Sequence, residues 1–424
     1  MRSYEVHAAL FVALAAPSLA TAQSVRAFPL ARAEDAGFSS TRLARIDSAL
    51  NALVAEHKVP GAVVFISRGG KTVVHKAYGY RDVRTKAPMQ PGDIFRIASQ
   101  TKAIVSLAVM MLWEEGRFQL DDPVGRYIPE FARSTVIDTF RAADTTWTVK
   151  PAPRPVSIRH LLTHTSGLDY PGIGSASFRA IYAKAGIPSG IGVGSATIGE
   201  KMRALGTLPL AHAPGDRFTY GLNSDLLGYF VEVISGVPLD QFLRTRIFEP
   251  LGMRDTWFYL PQDRASRLVT LHRGQNGRVV PADTANENGF IANFPLTTGT
   301  YFSGGAGLSS TAEDYARFLQ LFLNRGELNG VRLLSPKTVE LMLTDQTPAL
   351  TTEFGLGFGL ETSANDHLSP KSIGSFSWGG AFATTYWADP KEQLIAQIYT
   401  NVSGSPVPGL SALFTTLTYA AIIK

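Results

Sequence analysis

Residues 95–102 read Phe95-Arg96-Ile97-Ala98-Ser99-Gln100-Thr101-Lys102 and lead directly into a long apolar segment. Residues three apart share one face of a helix, so a helical conformation here brings the Ser99 hydroxyl to the Lys102 amine. A serine becomes a strong nucleophile only when a neighbouring base takes its proton, and a desolvated lysine is one of the few side chains able to do this. The spacing therefore predicts a nucleophile and its base.

The segment that follows has the periodicity of a buried helix. Its apolar residues recur at intervals of three and four and stop at Gly116, and they are Ile104, Val105, Ala108, Val109, Met111 and Leu112. A Ser-x-x-Lys pattern alone arises by chance about once or twice in a chain of this size. The helix behind it strengthens the prediction, because it places Ser99 at a positive helix N-terminus.

Composition excludes several classes of protein. The 424 residues suffice for one large domain or two smaller ones, and the net charge of +5 comes from scattered Lys and Arg without an aromatic-basic ladder. We therefore expect no nucleic-acid partner. The absence of cysteine excludes disulfides, thiol nucleophiles and thiolate metal sites. After the N-terminal region, no apolar run is long enough for a membrane span.

The first 22 residues read as a secretory signal peptide. Arg2 supplies a positive start, residues 8–16 form a short apolar core, and Ala20-Thr21-Ala22 offers a small-x-small cleavage site before Gln23. The run is too short to cross a membrane, and Pro17 interrupts it. We therefore expect a secreted or periplasmic protein.

Strand patterns occur at both ends of the chain. Residues 62–67 and 72–80 form a hairpin pattern, and residues 375–388 and 393–401 read as strands before a closing helix over 410–423. Such an arrangement favours one antiparallel sheet assembled from the two terminal regions.

Helical patterns dominate the middle of the chain. We predict an α+β fold in which residues 23–98 plus 300–424 form the sheet domain with its flanking helices. Residues 99–299 form a mainly helical insertion, and the active site lies between the two regions. In the C-terminal part, Ser310 and Glu313 have the spacing of a capping box for a helix that extends to Leu323.

A second polar segment, Phe218-Thr219-Tyr220-Gly221-Leu222-Asn223-Ser224-Asp225, follows a Pro-Gly turn. Asn223 or Ser224 can cap the helix that continues to Gly236. Tyr220 then lies on a short rigid segment from which its phenol can be aimed. The alternative is a tyrosine that only packs on the start of the helix.

A third segment, Ser377-Trp378-Gly379-Gly380-Ala381-Phe382, begins a predicted strand. Two glycines inside a strand usually mean that something approaches the backbone closely. The approaching group is either a ligand or another part of the protein, so a bulge or a tight packing contact is the alternative here.

Together the three segments resemble the serine β-lactamase and penicillin-binding-protein superfamily, whose signature is Ser-x-x-Lys, a second polar motif and a Lys-Thr-Gly strand motif. The resemblance is closest to class C β-lactamases and the related family VIII carboxylesterases, and it extends from about Val59 to the C-terminus. It includes the phrases Leu161-Leu162-Thr163-His164-Thr165-Ser166-Gly167-Leu168 and Gly305-Ala306-Gly307-Leu308-Ser309-Ser310.

The resemblance implies a role for each matching residue. Ser99 corresponds to the acylated nucleophile, Lys102 to its base partner and Tyr220 to the tyrosine that shuttles the proton. Two backbone N–H groups, those of Ser99 and Ala381, correspond to the oxyanion hole. The substrate-binding positions are Trp378, Gly379, Gly380, Leu222 and Asn223.

Two departures from the family pattern bear on the substrate. Class C enzymes have Tyr-x-Asn, whereas Leu222 stands in the third place here and Asn223 comes one residue later. The strand motif begins with Trp378 in place of lysine, which removes a charge-assisted contact to a substrate carboxylate worth about 1.5–3 kcal/mol, or about ten- to a hundred-fold in affinity. The sequence therefore predicts a carboxylesterase for small uncharged esters.

Other interpretations stay open at this point. A β-lactamase, a D-alanyl-D-alanine carboxypeptidase or a D-aminopeptidase is the main alternative, and a β-lactam sensor that acylates without turnover is a remote one. An α/β-hydrolase is excluded because no Gly-x-Ser-x-Gly occurs. His160 and His164 have helical metal-ligand spacing, but Leu161 stands where a zincin needs glutamate. We therefore expect a structural histidine pair, with no metal and no cofactor.

Overall fold

The computed structural model describes residues 28–194, 196–282 and 291–424. The predicted signal peptide, residues 1–22, lies outside the described residues. In chain order the strands are β1 (Gly61–Arg68), β2 (Lys71–Asp82), β3 (Ala87–Pro88), β4 (Phe95–Arg96), β5 (Thr135–Arg141), β6 (Thr146–Pro151), β7 (His272–Gln275), β8 (Arg278–Pro281), β9 (Ser309–Ser310), β10 (Glu327–Leu328), β11 (Val331–Arg332), β12 (Gly359–Leu360), β13 (Phe376–Gly380), β14 (Thr384–Asp389), β15 (Leu394–Tyr399) and β16 (Val402–Ser403).

Helices surround the strands and fill the middle of the chain. They are α1 (Ser40–Ala55), α2 (Thr101–Glu114), α3 (Ile158–Leu162), α4 (Ala176–Lys184), α5 (Ile198–Gly206), α6 (Asn223–Ser235), α7 (Leu239–Leu243), α8 (Glu249–Leu251), α9 (Ala312–Leu323), α10 (Pro336–Met342) and α11 (Leu410–Ala420). A π-helical turn, Arg244–Phe248, joins α7 to α8.

The main sheet joins the two terminal regions of the chain. Its strands are antiparallel and follow the order β12-β13-β14-β15-β1-β2-β3. The two regions meet where β1 pairs with β15, with Val63 opposite Tyr399 and Arg68 opposite Leu394. This arrangement confirms the predicted α+β fold class with a sheet drawn from both ends.

Both faces of the sheet are covered by helices. Alternate side chains of β1 point to opposite faces and so enter two different apolar clusters. Val64 and Ile66 enter a cluster with apolar residues of α1 and α11. Val63 and Phe65 face the larger core, on the side where α9 lies against β1 and β15. Helix α2 is buried on all sides from Thr101 to Leu112, which is the expected environment for a helix that is apolar around its circumference.

One predicted strand boundary and two predicted helix caps are wrong. Residues 375–388 form two strands, because the chain turns between Gly380 and Thr384 and Ala383 adopts a φ of +54°. Helix α9 is capped by the Thr311 hydroxyl, which accepts the Asp314 N–H, so the predicted box of Ser310 and Glu313 does not form. Helix α6 begins after Leu222 without a side-chain cap, so neither Asn223 nor Ser224 has the predicted capping role.

The middle region also contains strands, although its sequence pattern predicts mainly helices. Strands β5 and β6 form one hairpin, and β7 and β8 form another. The division into a sheet domain (23–98 plus 300–424) and an insertion (99–299) stays a prediction. Within the described residues no single helix has both the length and the apolar composition to cross a membrane, although Asn223–Ser235 and Leu239–Leu251, bent by 81°, pass that test as a pair.

Candidate active site

The candidate nucleophile lies in a sharp turn between β4 and α2. Residues Ala98–Gln100 form a single 3₁₀ turn, and Ala98, fully buried, has a φ of +42°. Alanine rarely adopts this left-handed region. The neighbours enforce it, because β4 pairs with β9 and the Ile97 N–H donates to the Leu308 carbonyl at 3.0 Å. Strained backbone of this kind persists where surrounding structure dictates it, and it clusters at functional sites.

Lys102 lies beside Ser99, as the spacing predicts. Its Nζ donates to the Ser99 Oγ at 3.2 Å and to the backbone carbonyl of Gly305 at 2.7 Å. Only 3% of Lys102 is exposed. The lysine is therefore desolvated, and its amine is directed at the serine by a second acceptor from a distant part of the chain.

Tyr220 and Trp378 converge on this pair. The Lys102 Nζ lies 4.6 Å from the centroid of the Tyr220 ring. Tyr170 stacks on Tyr220 with the ring centroids 5.8 Å apart and an interplanar angle of 18°. The Trp378 Nε1–H donates to the Tyr220 hydroxyl at 3.4 Å. All three segments singled out in the sequence thus meet around Ser99.

Close backbone contacts fix the segment that carries Tyr220. The Thr219 N–H donates to the His164 carbonyl at 2.7 Å. A Cβ at Gly221 would lie 2.1 Å from the Leu168 carbonyl oxygen, so only glycine allows this approach. The second polar segment is therefore held against the motif of residues 161–168, and this contact orients the Tyr220 side chain.

Strand β13 brings the third segment against the nucleophile turn. A Cβ at Gly380 would lie 2.4 Å from the Ile97 carbonyl oxygen, so the close approach predicted from the two glycines is to the protein's own backbone. Ala381 follows at the exposed end of the strand. The backbones of residues 97–99 and 380–381 are therefore neighbours, and the oxyanion-hole role of the Ser99 and Ala381 N–H groups stays a prediction.

The profile of the Beta-lactamase family matches residues 46–417, which is most of the chain. The chain belongs to the Beta-lactamase family. This membership confirms the resemblance drawn from the three segments.

Individual relatives of this Beta-lactamase family chain include a named esterase and a hydrolase. Esterase EstB of Burkholderia gladioli is 33% identical over 386 residues, which cover 86% of this chain and 92% of EstB. Protein Rv1367c of Mycobacterium tuberculosis is 37% identical over 354 residues, covering 79% of this chain and 84% of its own. The solved structure of EstCE1, described as a hydrolase with promiscuous acyltransferase activity, has a TM-score of 0.77 at 27% identity and covers 91% of this chain and 99% of its own. The protein is a serine hydrolase.

Two predicted substrate-binding residues of this family member do not face the cluster. Leu222 and Asn223 are fully buried. The Asn223 amide N–H donates to His164 Nδ1 at 2.9 Å, and its oxygen accepts the Ser166 hydroxyl. Asn223 therefore ties α6 to the 161–168 phrase, and this correction removes it and Leu222 from the residues available to a substrate. Gly379 has more room, since its nearest contact to a built Cβ is 3.4 Å away.

The histidine pair has structural partners. His160 Nδ1 accepts the Ser157 N–H at 3.1 Å within the capping box of α3. His164 is fully buried between aromatic rings, including that of Tyr220 at 4.9 Å. Burial, followed by the charge of Lys102, holds the pKa of His164 well below its usual range, so this imidazole is neutral at physiological pH.

Three groups of the site have no role that the sequence predicts. Tyr170 packs on Tyr220, the Gly305 carbonyl accepts from Lys102, and Asp225 lies buried in α6. Gly305 and Asp225 stand inside the quoted motifs, but their contacts are made across large sequence separations. Burial raises the pKa of Tyr170 well above its usual value, so its phenol stays protonated.

Proposed function

We propose that the protein is a carboxylesterase that hydrolyses small uncharged esters through an acyl-enzyme on Ser99. The observation that carries this proposal is the 3.2 Å contact between Lys102 Nζ and Ser99 Oγ, made next to the ring of Tyr220. A nucleophile within hydrogen-bonding reach of its base is the usual arrangement for covalent catalysis. The name of Esterase EstB and the description of EstCE1 as a hydrolase support the same class of reaction.

The reaction proceeds in two steps. The Ser99 Oγ forms a bond to the ester carbonyl carbon, and its proton passes to the pair formed by Lys102 and Tyr220. The tetrahedral oxyanion is held by the N–H groups of Ser99 and Ala381, each worth on the order of 10²–10³ in rate. The C–O bond to the leaving alcohol breaks, and the alcohol takes the proton. Water, deprotonated through Tyr220, then releases the acid and restores the serine.

Trp378 supports the preference for uncharged substrates. Its indole is partly exposed, packs against Phe354 with ring centroids 5.3 Å apart, and bonds to the Tyr220 hydroxyl. It offers an apolar wall at the place where family members with lysine offer a cation. A β-lactam or a D-alanine peptide carries a carboxylate, so this wall gives it no charge partner.

We expect the wild-type protein to hydrolyse a neutral chromogenic ester faster than a chromogenic cephalosporin when both are measured as kcat/KM in one buffer. The ester needs only the Ser99 cluster, whereas the cephalosporin also needs recognition of its carboxylate. Faster turnover of the cephalosporin would reverse the proposal in favour of a β-lactamase, and D-alanine release from a peptide would favour the peptidase.

Trp378→Lys is expected to lower the ratio of ester to cephalosporin kcat/KM by about ten- to a hundred-fold, because a new ammonium group pairs with the carboxylate. Trp378→Met is the matched control, since it removes the indole and has a similar length without a charge. If both variants change the ratio equally, charge recognition at this position is not what separates the two substrates.

A second candidate function is acyl transfer to an alcohol. The observation in its favour is the similarity to EstCE1, whose description includes promiscuous acyltransferase activity. The same acyl-enzyme serves both reactions, because an alcohol can replace water in the second step. A non-turnover sensor remains the remote alternative, and the retained Tyr220 argues for turnover. We also propose a secreted or periplasmic location, on the strength of the signal-peptide pattern in residues 1–22.

A further inference from the structure

A buried carboxylate lies behind Lys102. Asp225 belongs to the first turn of α6, five residues after Tyr220, and it is fully enclosed. Its Oδ1 accepts the Ser303 hydroxyl at 2.6 Å. Its Oδ2 is buried against Gly305, where a Cβ would lie 2.3 Å away, and the Gly305 backbone favours the charged form of the carboxylate.

Burial of a carboxylate in this environment carries a desolvation cost. Removal from water disfavours its charged form, and burial raises the pKa of Asp225 accordingly. An amide or an apolar side chain of similar size would fill the same space at lower cost. A carboxylate kept under these conditions beside a reactive cluster indicates a functional use.

Asp225 acts on Lys102 through the backbone. The Ser303 hydroxyl that donates to Asp225 also accepts the Ala306 N–H at 3.0 Å. The carboxylate thereby holds the loop whose Gly305 carbonyl receives the Lys102 Nζ. Through this chain of contacts, the position of the lysine amine depends on Asp225.

Asp225 also acts on Lys102 through its charge. Lys102 is the cation that favours the ionised form of Asp225, and the attraction acts equally in both directions. Burial, followed by the charge of Asp225, raises the pKa of Tyr170 and of Tyr301. Burial lowers the pKa of His164. These three groups are neutral near pH 7, so none of them replaces the Asp225 charge.

We infer that Asp225 is a positioning residue that holds the Lys102 amine against the Gly305 carbonyl and that it sets the pH range in which Ser99 reacts. The inference rests on the proposed function in assigning the reaction to Ser99. It adds a charged partner to the cluster of Ser99, Lys102 and Tyr220.

The test uses the rate constant for labelling of Ser99 by a fluorophosphonate, measured from pH 5 to 10 and read by mass spectrometry of the modified peptide. In Asp225→Asn, the cluster of Ser99, Lys102 and Tyr220 loses a neighbouring carboxylate. The pH profile of labelling is expected to move to lower pH by about one unit, because a negative charge favours bound protons on the groups around it. The direction is the same for both limbs of the profile.

Ser303→Ala provides a milder second variant in case Asp225→Asn fails to fold. It removes the hydroxyl that stabilises the Asp225 charge, so we expect a smaller shift in the same direction. Asp314→Asn is the control. Asp314 is another buried carboxylate, but it accepts the Asp255 N–H and not a group of the active site. Burial raises the pKa of Asp314 to about 7, which is within the pH range of the measurement.

The inference is overturned if the pH profile of Ser99 labelling is unchanged in the folded Asp225 and Ser303 variants. It is also overturned if Asp314→Asn shifts that profile by the same amount. Folding is checked by circular dichroism. Absence of labelling at Ser99 in the wild type overturns both the proposed function and this inference. Labelling with wild-type pH dependence in the variants overturns only the role of Asp225.

Discussion

Ser99→Ala is expected to lower kcat/KM for a neutral ester by at least about 10⁴-fold, because no other hydroxyl takes the place of the nucleophile. The Lys102 Nζ that donates to Ser99 at 3.2 Å still meets the Gly305 carbonyl in the variant. The fold should therefore survive the loss of one oxygen atom. The measurement is steady-state ester hydrolysis, combined with mass spectrometry of protein treated with a fluorophosphonate.

Ser106→Ala is the matched control. Ser106 is a buried serine of α2, seven residues after Ser99, and its hydroxyl lies against Gly357. We expect it to retain activity and to carry the phosphonate adduct on the peptide that contains Ser99. An adduct on any other peptide of the wild type, or full esterase activity in Ser99→Ala, contradicts the assignment.

The predictable part of this site is the part encoded locally. Ser99 and Lys102 are one helical turn apart, so helix geometry alone brings them together. The strand patterns at the two termini likewise predict the sheet, because two hairpin-like regions with buried faces need each other as partners. The pairing of β1 with β15 is the result.

The parts that sequence reasoning missed depend on distant partners. Asn223 carries a polar amide close in sequence to Tyr220, which favours a substrate-binding interpretation. In the fold, however, the amide oxygen accepts the Ser166 hydroxyl and the amide N–H donates to His164. The Gly305 carbonyl reaches Lys102 across 203 residues. No local pattern indicates either contact.

The strand break after Gly380 has a similar origin. Residues 375–388 have continuous strand character, so their composition predicts a single run. The chain turns after the point where Gly380 meets the Ile97 carbonyl, and Ala383 adopts a left-handed conformation there. Close packing against the nucleophile turn, rather than residue preference, decides where β13 ends.

Tyr220→Phe is expected to lower kcat/KM for a neutral ester by about 10²–10⁴-fold, the usual contribution of a positioned proton-transfer group. The variant keeps the ring, so the stacking on Tyr170 and the contact with the Lys102 amine are preserved. Only the hydroxyl that accepts the Trp378 N–H is lost, and that hydrogen bond is long at 3.4 Å. A large effect therefore assigns proton transfer to the phenol, whereas a tyrosine that only packs on the start of α6 predicts almost none.

Tyr259→Phe separates this effect from the general loss of a tyrosine hydroxyl. Tyr259 is half-buried, and its hydroxyl donates to the Tyr301 carbonyl at 3.0 Å. Removing that bond costs about 0.5–1.5 kcal/mol of stability, and we expect ester turnover within a few-fold of the wild type. If Tyr220→Phe behaves like Tyr259→Phe in turnover as well as in unfolding by denaturant, Lys102 must deprotonate Ser99 without the phenol.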